Sequence, residues 1–182
     1  MRLEVRIAPQ GGIIEARLEA VGGIYRCAHA WRRLGAALCP RRRGARVAVA
    51  GLLALNRDEA AYFTASQDDA GDTLRAGCTY KIMGSDPPAR WWSITLYGAD
   101  NYLVANRQDR YSYGGDTVAR EADGGFVIAV GPAETEGNWI PSGGQTNDTF
   151  SLTLRLYNPE ERVARDPAGV LLPHIAKEAC SS

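Results

Sequence analysis

Three short stretches carry the residues best suited to chemistry: Arg155 with Tyr157, Arg110 with Tyr111, and Asn138 with Trp139. Arginine offers planar, two-pronged recognition of a carboxylate or phosphate. Tryptophan and tyrosine offer flat apolar faces with one polar handle each. Together these six residues would line a cleft for a sugar or a small acid. Arg155 is the strongest candidate. It stands in mid-strand between Leu154 and Leu156, where a charge needs a partner. Each residue also has a plainer assignment. Trp139 would plug the core, Arg155 would pair with Asp109 or Glu121, and Asn138 would tie a turn. Asp109, Asp123 and Glu136 are the candidate carboxylates for acid–base work, but no sequence spacing sets any two at the separations of glycoside hydrolysis.

The established reaction motifs are absent. The chain has no G-x-S-x-G elbow, no H-E-x-x-H, no Walker A loop and no G-x-G-x-x-G. No cofactor is expected. After residue 46 the only histidine is His174, behind Pro173, and it reads as a surface or edge residue. Four cysteines (27, 39, 78 and 180) with two histidines and no C-x-x-C argue against a metal site. A bridge between Cys78 and Cys180 would close a loop of about 100 residues and imply an oxidising compartment. Two unrelated thiols are the alternative.

Charge divides the 182 residues unevenly. Residues 1–46 hold ten arginines and three acids, a balance of +7, and the remainder balances at −7. Arg32, Arg33 and Arg41 to Arg43 would suit a basic arm for nucleic acid or acidic lipid. That arm lacks the interleaved aromatics of single-strand binders and any helix-turn-helix or zinc-finger pattern, so no nucleic acid is expected. The longest apolar run, Val47 to Leu55, is about half of the ~20 residues a membrane helix needs. Glu4, Gln10 and Glu15 interrupt any signal-peptide core.

The elements that must position these residues show a side-chain period of two. In Phe150–Tyr157, Phe150, Leu152, Leu154 and Leu156 face one side, and Ser151, Thr153, Arg155 and Tyr157 the other. In Trp91–Tyr97, Trp92, Ile94 and Leu96 oppose Trp91, Ser93, Thr95 and Tyr97. This alternation predicts half-buried antiparallel strands. Further strands are predicted at Cys78–Met83, Tyr102–Ala105, Tyr111–Tyr113 and Phe126–Val130, with Asp123-Gly124 turning a hairpin from Ala119–Ala122. Ala45 to Phe63 predicts a helix. The tail from Asn158 to Pro173 reads as an irregular wrap over a sheet edge, anchored by Leu171-Leu172. The expected architecture is mainly β: an antiparallel, jelly-roll-like β-sandwich over residues 43–182. A short helical lead-in precedes it, and residues 1–42 form a basic stretch that is either disordered or mis-framed.

An ordered series of residues resembles one bacterial family. It runs Gly51-Leu52-Leu53-Ala54-Leu55, Glu59-Ala60-Ala61-Tyr62-Phe63, Trp92 to Tyr97, Tyr102-Leu103, Asn106, Arg110-Tyr111-Ser112, Asn138-Trp139-Ile140-Pro141 and Phe150 to Pro159. This series is similar to the "domain of unknown function 1214", which occurs alone or behind a "domain of unknown function 1254". The resemblance implies a jelly-roll-like sandwich with a helical lead-in. It also implies a periplasmic or envelope location, because stand-alone members carry an N-terminal hydrophobic anchor. Residues 1–42 do not resemble that lead-in. Cys78 and Cys180 look like the cysteines that stand-alone members carry, which favours the bridge. The family implies no established activity.

Three functions remain open. The first is an envelope β-sandwich binding a glycan or small anionic ligand. The second is a hydrolase or lyase on a carbohydrate-like substrate. The third is a module whose sheet contacts another protein. Sequence fixes neither the ligand nor the oligomeric state.

Overall fold

The computed structural model describes residues 59–181 and, ahead of them, three short strands: β1 (Leu3–Val5), β2 (Ala16–Leu18) and β3 (Trp31–Arg33). The next strands are β4 (Ala60–Ala65), β5 (Cys78–Gly84), β6 (Ala89–Gly98), β7 (Ser112–Gly114) and β8 (Phe126–Gly131). They are followed by β9 (Asn138–Pro141), β10 (Phe150–Pro159) and β11 (His174–Cys180). One short helix, α1 (Glu161–Arg165), and a single 3-10 turn (Pro167–Gly169) interrupt the tail. The described part is therefore mainly β with little helix.

Two sheets hold the core. The first runs β3-β4-β10-β6-β7 and is antiparallel throughout; the second runs β11-β5-β8-β9, with β8 and β9 parallel. The alternation in β6 and β10 is as expected. Leu152, Leu154 and Ile94 are fully buried, whereas Arg155 is half-buried on the other side. In register, Leu154 lies opposite Ile94 on one flank and Phe63 on the other. The inner faces of the two sheets feed one hydrophobic cluster, with Leu74, Val118 and Val163 added from the connections. Rings from opposite sheets touch within it. Trp92 stacks on Phe126 at 4.8 Å, and Tyr80 meets Phe150 edge-on at 5.7 Å. The Tyr80 hydroxyl accepts a hydrogen bond from the Arg75 amide, and burial pushes its pKa up.

Several expectations are corrected. The helix predicted over Ala45 to Phe63 falls largely outside the described residues, but its last residues, Ala60 to Phe63, are strand. Alanine is the best helix former, but intrinsic propensity is a small preference. Here β4 is paired on both edges, by β3 and β10, and that tertiary pairing overrides the preference. Tyr102–Ala105 forms no strand. The Gly98 amide donates to the Tyr102 carbonyl and Asn101 takes a φ of 67°, so the chain reverses there and leaves Tyr102 74% exposed. The hairpin at Asp123-Gly124 shrinks to one bridge, Arg120 to Phe126. Its turn is as expected: Gly124 has a φ of 84°, open to glycine, and the Asp123 carboxylate accepts from the Gly125 amide. In the tail, Leu172 packs on the core and Leu171 is exposed.

The last strand is fastened at both ends. Cys180 lies opposite Cys78 in the β11–β5 ladder, and the two form a disulfide across 102 positions of sequence. At the other end, the loop Asp68–Asp72 grips the strand. The Asp69 carboxylate accepts from the Ile175 amide at 3.1 Å and contacts the exposed His174 ring at 3.2 Å. Lys177 bonds Asp72 and lies 3.8 Å from the buried Asp68 carboxylate.

The Asp72–Lys177 bond makes part of this fastening pH-dependent. The hydrogen bond from Lys177 holds the Asp72 pKa below its ordinary value, and the same bond holds Lys177 above its own. Its stabilisation is therefore full above the ordinary carboxylate pKa and is lost as pH falls through the lowered value. In alkali it is lost as pH rises through the raised lysine value. Asp72→Asn should melt below the wild type at about pH 7 and match it in strong acid. A difference in melting temperature that stays constant into acid would contradict this.

Candidate functional site

The outer face of the five-stranded sheet collects polar and aromatic side chains because every second residue of β4, β6 and β10 must point there. The register sets their order. Tyr157 lies opposite Ala60 and Trp91, Arg155 opposite Tyr62 and Ser93, Thr153 opposite Thr64 and Thr95, and Ser151 opposite Tyr97. Arg155 leans along the strand and donates through Nη2 to the Tyr97 hydroxyl at 2.7 Å, with its guanidinium 5.2 Å from the centre of that ring. This pair reaches across the Thr153–Thr95 row, and both threonines are buried although they face outward, as is Ser93. The Thr153 and Thr64 hydroxyls bond each other at 3.1 Å.

At the other end of the face Trp91 and Tyr157 meet with ring centres 5.5 Å apart. The Trp91 indole N–H donates to Asp116 at 3.2 Å, which orients the ring, and the residue is 40% exposed. Tyr62 is only 7% exposed, and its hydroxyl finds no hydrogen-bond partner among the described residues. Burial and the neighbouring Tyr157 phenol raise the Tyr62 pKa, while Arg155 pulls it down. Among the described residues no carboxylate pairs with Arg155. The cation is held by a phenol and lies over its ring. The plainer expectation of a pairing with Asp109 or Glu121 is thus not what the structure shows.

The other four candidates lie elsewhere. Asn138 and Trp139 belong to β9, at the edge of the second sheet. Asn138 is a structural tie. Its amide oxygen accepts from the Ala119 amide at 2.7 Å, and its NH2 donates to the carbonyls of Ala119 and Val127. Trp139 is buried, with its indole N–H donating to the Gly131 carbonyl. Arg110 donates to the Trp139 carbonyl at 3.4 Å and lies 6.0 Å from the centre of the Tyr113 ring, whose hydroxyl accepts from the Trp139 amide. These contacts join β7 to β9. Tyr111 donates to Asp109, and that bond raises its pKa. So the structure brings Arg155 and Tyr157 together on one face and gathers Arg110, Asn138 and Trp139 around the β7–β9 junction.

The candidate carboxylates are used separately. Asp109 accepts from Tyr111, Asp123 closes its turn, and Glu136 lies in the exposed loop before β9. Asn138→Ala should cost about 1–3 kcal/mol, since it strands one amide and two carbonyls. Urea unfolding measures this, and an unchanged midpoint would show that Asn138 is not the tie.

Trp91, Tyr97 and Tyr62 were not among the residues singled out by sequence. The alternation of β6 already put Trp91 and Tyr97 on the outer side. The register between β6 and β10, which brings Tyr97 within reach of Arg155, leaves no local signature. Tyr62 was hidden by the helix expected across it.

Comparison with known proteins places the fold. The crystal structure of the VPA0106 protein from Vibrio parahaemolyticus is similar over 78% of this chain, with a TM-score of 0.63 and 24% identity. The chain spans 36% of that protein, so the likeness concerns part of a larger molecule. A structure of an uncharacterized protein from Burkholderia cenocepacia aligns over 79% of this chain and 43% of its own, at 14% identity and a TM-score of 0.45. No protein with a curated description matches. The family described as "Protein of unknown function (DUF1214)" matches residues 59–161, more than half of the sequence from Glu59 onward to the start of α1, and the chain belongs to that family.

Proposed function

We propose that this protein is a non-catalytic binding module of the cell envelope that takes a glycan or small anionic ligand on the outer face of its five-stranded sheet. The observation that carries the proposal is the state of Arg155. Its guanidinium donates to a phenol and faces no carboxylate among the described residues, beside two tyrosines and an exposed, oriented tryptophan. A guanidinium that meets no carboxylate among the described residues suits an anion arriving from outside. Phenols, an indole and hydroxyls surround it, which favours binding over acid–base turnover. A jelly-roll-like sandwich of the two sheets suits this reading, because it turns Trp91 and Arg155 away from the shared core. The Cys78–Cys180 bridge supports an oxidising compartment such as the periplasm.

A thermal-shift survey of saccharides and small carboxylic acids tests the proposal. A true ligand at 100 times its Kd should stabilise the protein by about 2.7 kcal/mol. Arg155→Gln should remove that shift, and its unliganded form should melt somewhat lower because the bond to Tyr97 is lost. A ligand-induced shift that survives in Arg155→Gln would show that binding lies elsewhere.

A further inference from the structure

We infer that the ligand is a small monocarboxylate, seated at one end of the outer face with its carboxylate on Arg155 and Tyr97; this rests on the binding face proposed above and selects its anionic branch over the glycan. Burial decides where a ligand can enter. The middle of the face is closed, with Tyr62, Ser93, Thr95 and Thr153 each at most 8% exposed. Arg155, Tyr97 and Ser151 are only half-buried. Tyr97 and Ser151 lie opposite each other in the β6–β10 register, and Arg155 leans along its strand toward them. The open polar ground is thus the Tyr97 end. Trp91 stands six residues away along β6, about 20 Å at ~3.3 Å per residue, beyond the closed strip. A chain of sugars has no open path between Trp91 and Arg155.

The donors at that end select the group they bind. Arg155 donates from Nη2 to the Tyr97 hydroxyl at 2.7 Å, so the phenol oxygen is the acceptor. The phenol's own hydrogen meets no acceptor among the described residues, and neither do the remaining guanidinium N–H groups. A charged N–H donor and a phenol O–H donor thus sit side by side, and the two oxygens of one carboxylate suit such a pair. Ser151 adds a hydroxyl across the strand pair. Among the described residues Arg155 is the one cation on the outward side of β4, β6 and β10. One cation balances a monoanion. The second charge of a phosphate dianion would find no partner in this half-buried place. A neutral sugar would draw no ion pair from the guanidinium.

Nuclear magnetic resonance titration of the full chain with acetate, inorganic phosphate and galactose, read at the Gly98 and Ser151 amides, tests this. The expected result is that acetate shifts both signals saturably and binds at least about tenfold more tightly than phosphate or galactose. Arg155→Gln should abolish acetate binding. Tyr97→Phe, which keeps the ring and removes the O–H, should weaken it about tenfold. Arg155→Lys, which keeps the charge but loses the fork, should bind acetate at an intermediate level and serves if Arg155→Gln unfolds. Phosphate bound as tightly as acetate, or galactose bound in its place, with either lost in Arg155→Gln, would overturn the monocarboxylate assignment and leave a binding face of another specificity. No binding by any of the three, or acetate binding undiminished in Arg155→Gln, would overturn the binding face as well.

Discussion

Leu154→Ala will destabilise the protein by about 2–5 kcal/mol, the range for deleting a buried leucine from a packed interior. Leu154 is fully buried at the centre of β10, the middle strand of its sheet, with Ile94 and Phe63 as lateral neighbours. Neighbours held in two ladders cannot close in on the space, so both the lost transfer energy and the cavity count. Against a total stability of about 5–15 kcal/mol for a domain, the loss is a large fraction. Urea or guanidinium unfolding reads it directly. A variant within about 0.5 kcal/mol of the wild type, the usual bound for a surface substitution, would mean that Leu154 is not core.

Loss of the Cys78–Cys180 bridge carries the other large effect. A cross-link over 102 positions restricts the unfolded chain by about 4–5 kcal/mol in the chain-entropy account. The bridge also compensates for a weak strand, since β11 buries only Ile175 and otherwise presents exposed or half-buried residues. Without the bridge its hold comes from the ladder to β5 and from the Asp68–Asp72 loop. The paired variant Cys78→Ser, Cys180→Ser should therefore unfold at much lower denaturant, and β11 amides should exchange with solvent faster than those of β10. Cys27 and Cys39, outside the described residues, are untouched by that variant. An unchanged midpoint and equal exchange would contradict the assignment.

How far the sequence could be read depended on where each strand gets its stability. β6 and β10 are central and half-buried, so their alternation wrote itself into residue types. β4 is equally central, but its Ala-rich composition resembles a helix, and only pairing with β3 and β10 decides otherwise. β9 is too short to show a period, and it is held by Asn138 and Trp139 through contacts remote in sequence. β11 shows little apolar pattern because a disulfide and an acidic loop hold it. The site divided the same way. A mid-strand arginine between two leucines announces itself, whereas its contact with Tyr97 depends on strand register. The plainer assignments of Trp139 to the interior and Asn138 to a tie agree with the structure.

Adjacent residues on β10 provide the most direct test, because the account assigns them to opposite sides and separate tasks. Leu154→Ala and Arg155→Gln should be measured side by side for unfolding midpoint and for affinity toward the saccharide or carboxylic acid that stabilises the wild type in the thermal-shift survey. The expected outcome is a crossed pattern: Leu154→Ala unfolds early yet binds as the wild type does while folded, and Arg155→Gln unfolds well after Leu154→Ala yet fails to bind. Undiminished affinity in Arg155→Gln, or a parallel loss of stability and binding in both variants, would contradict it.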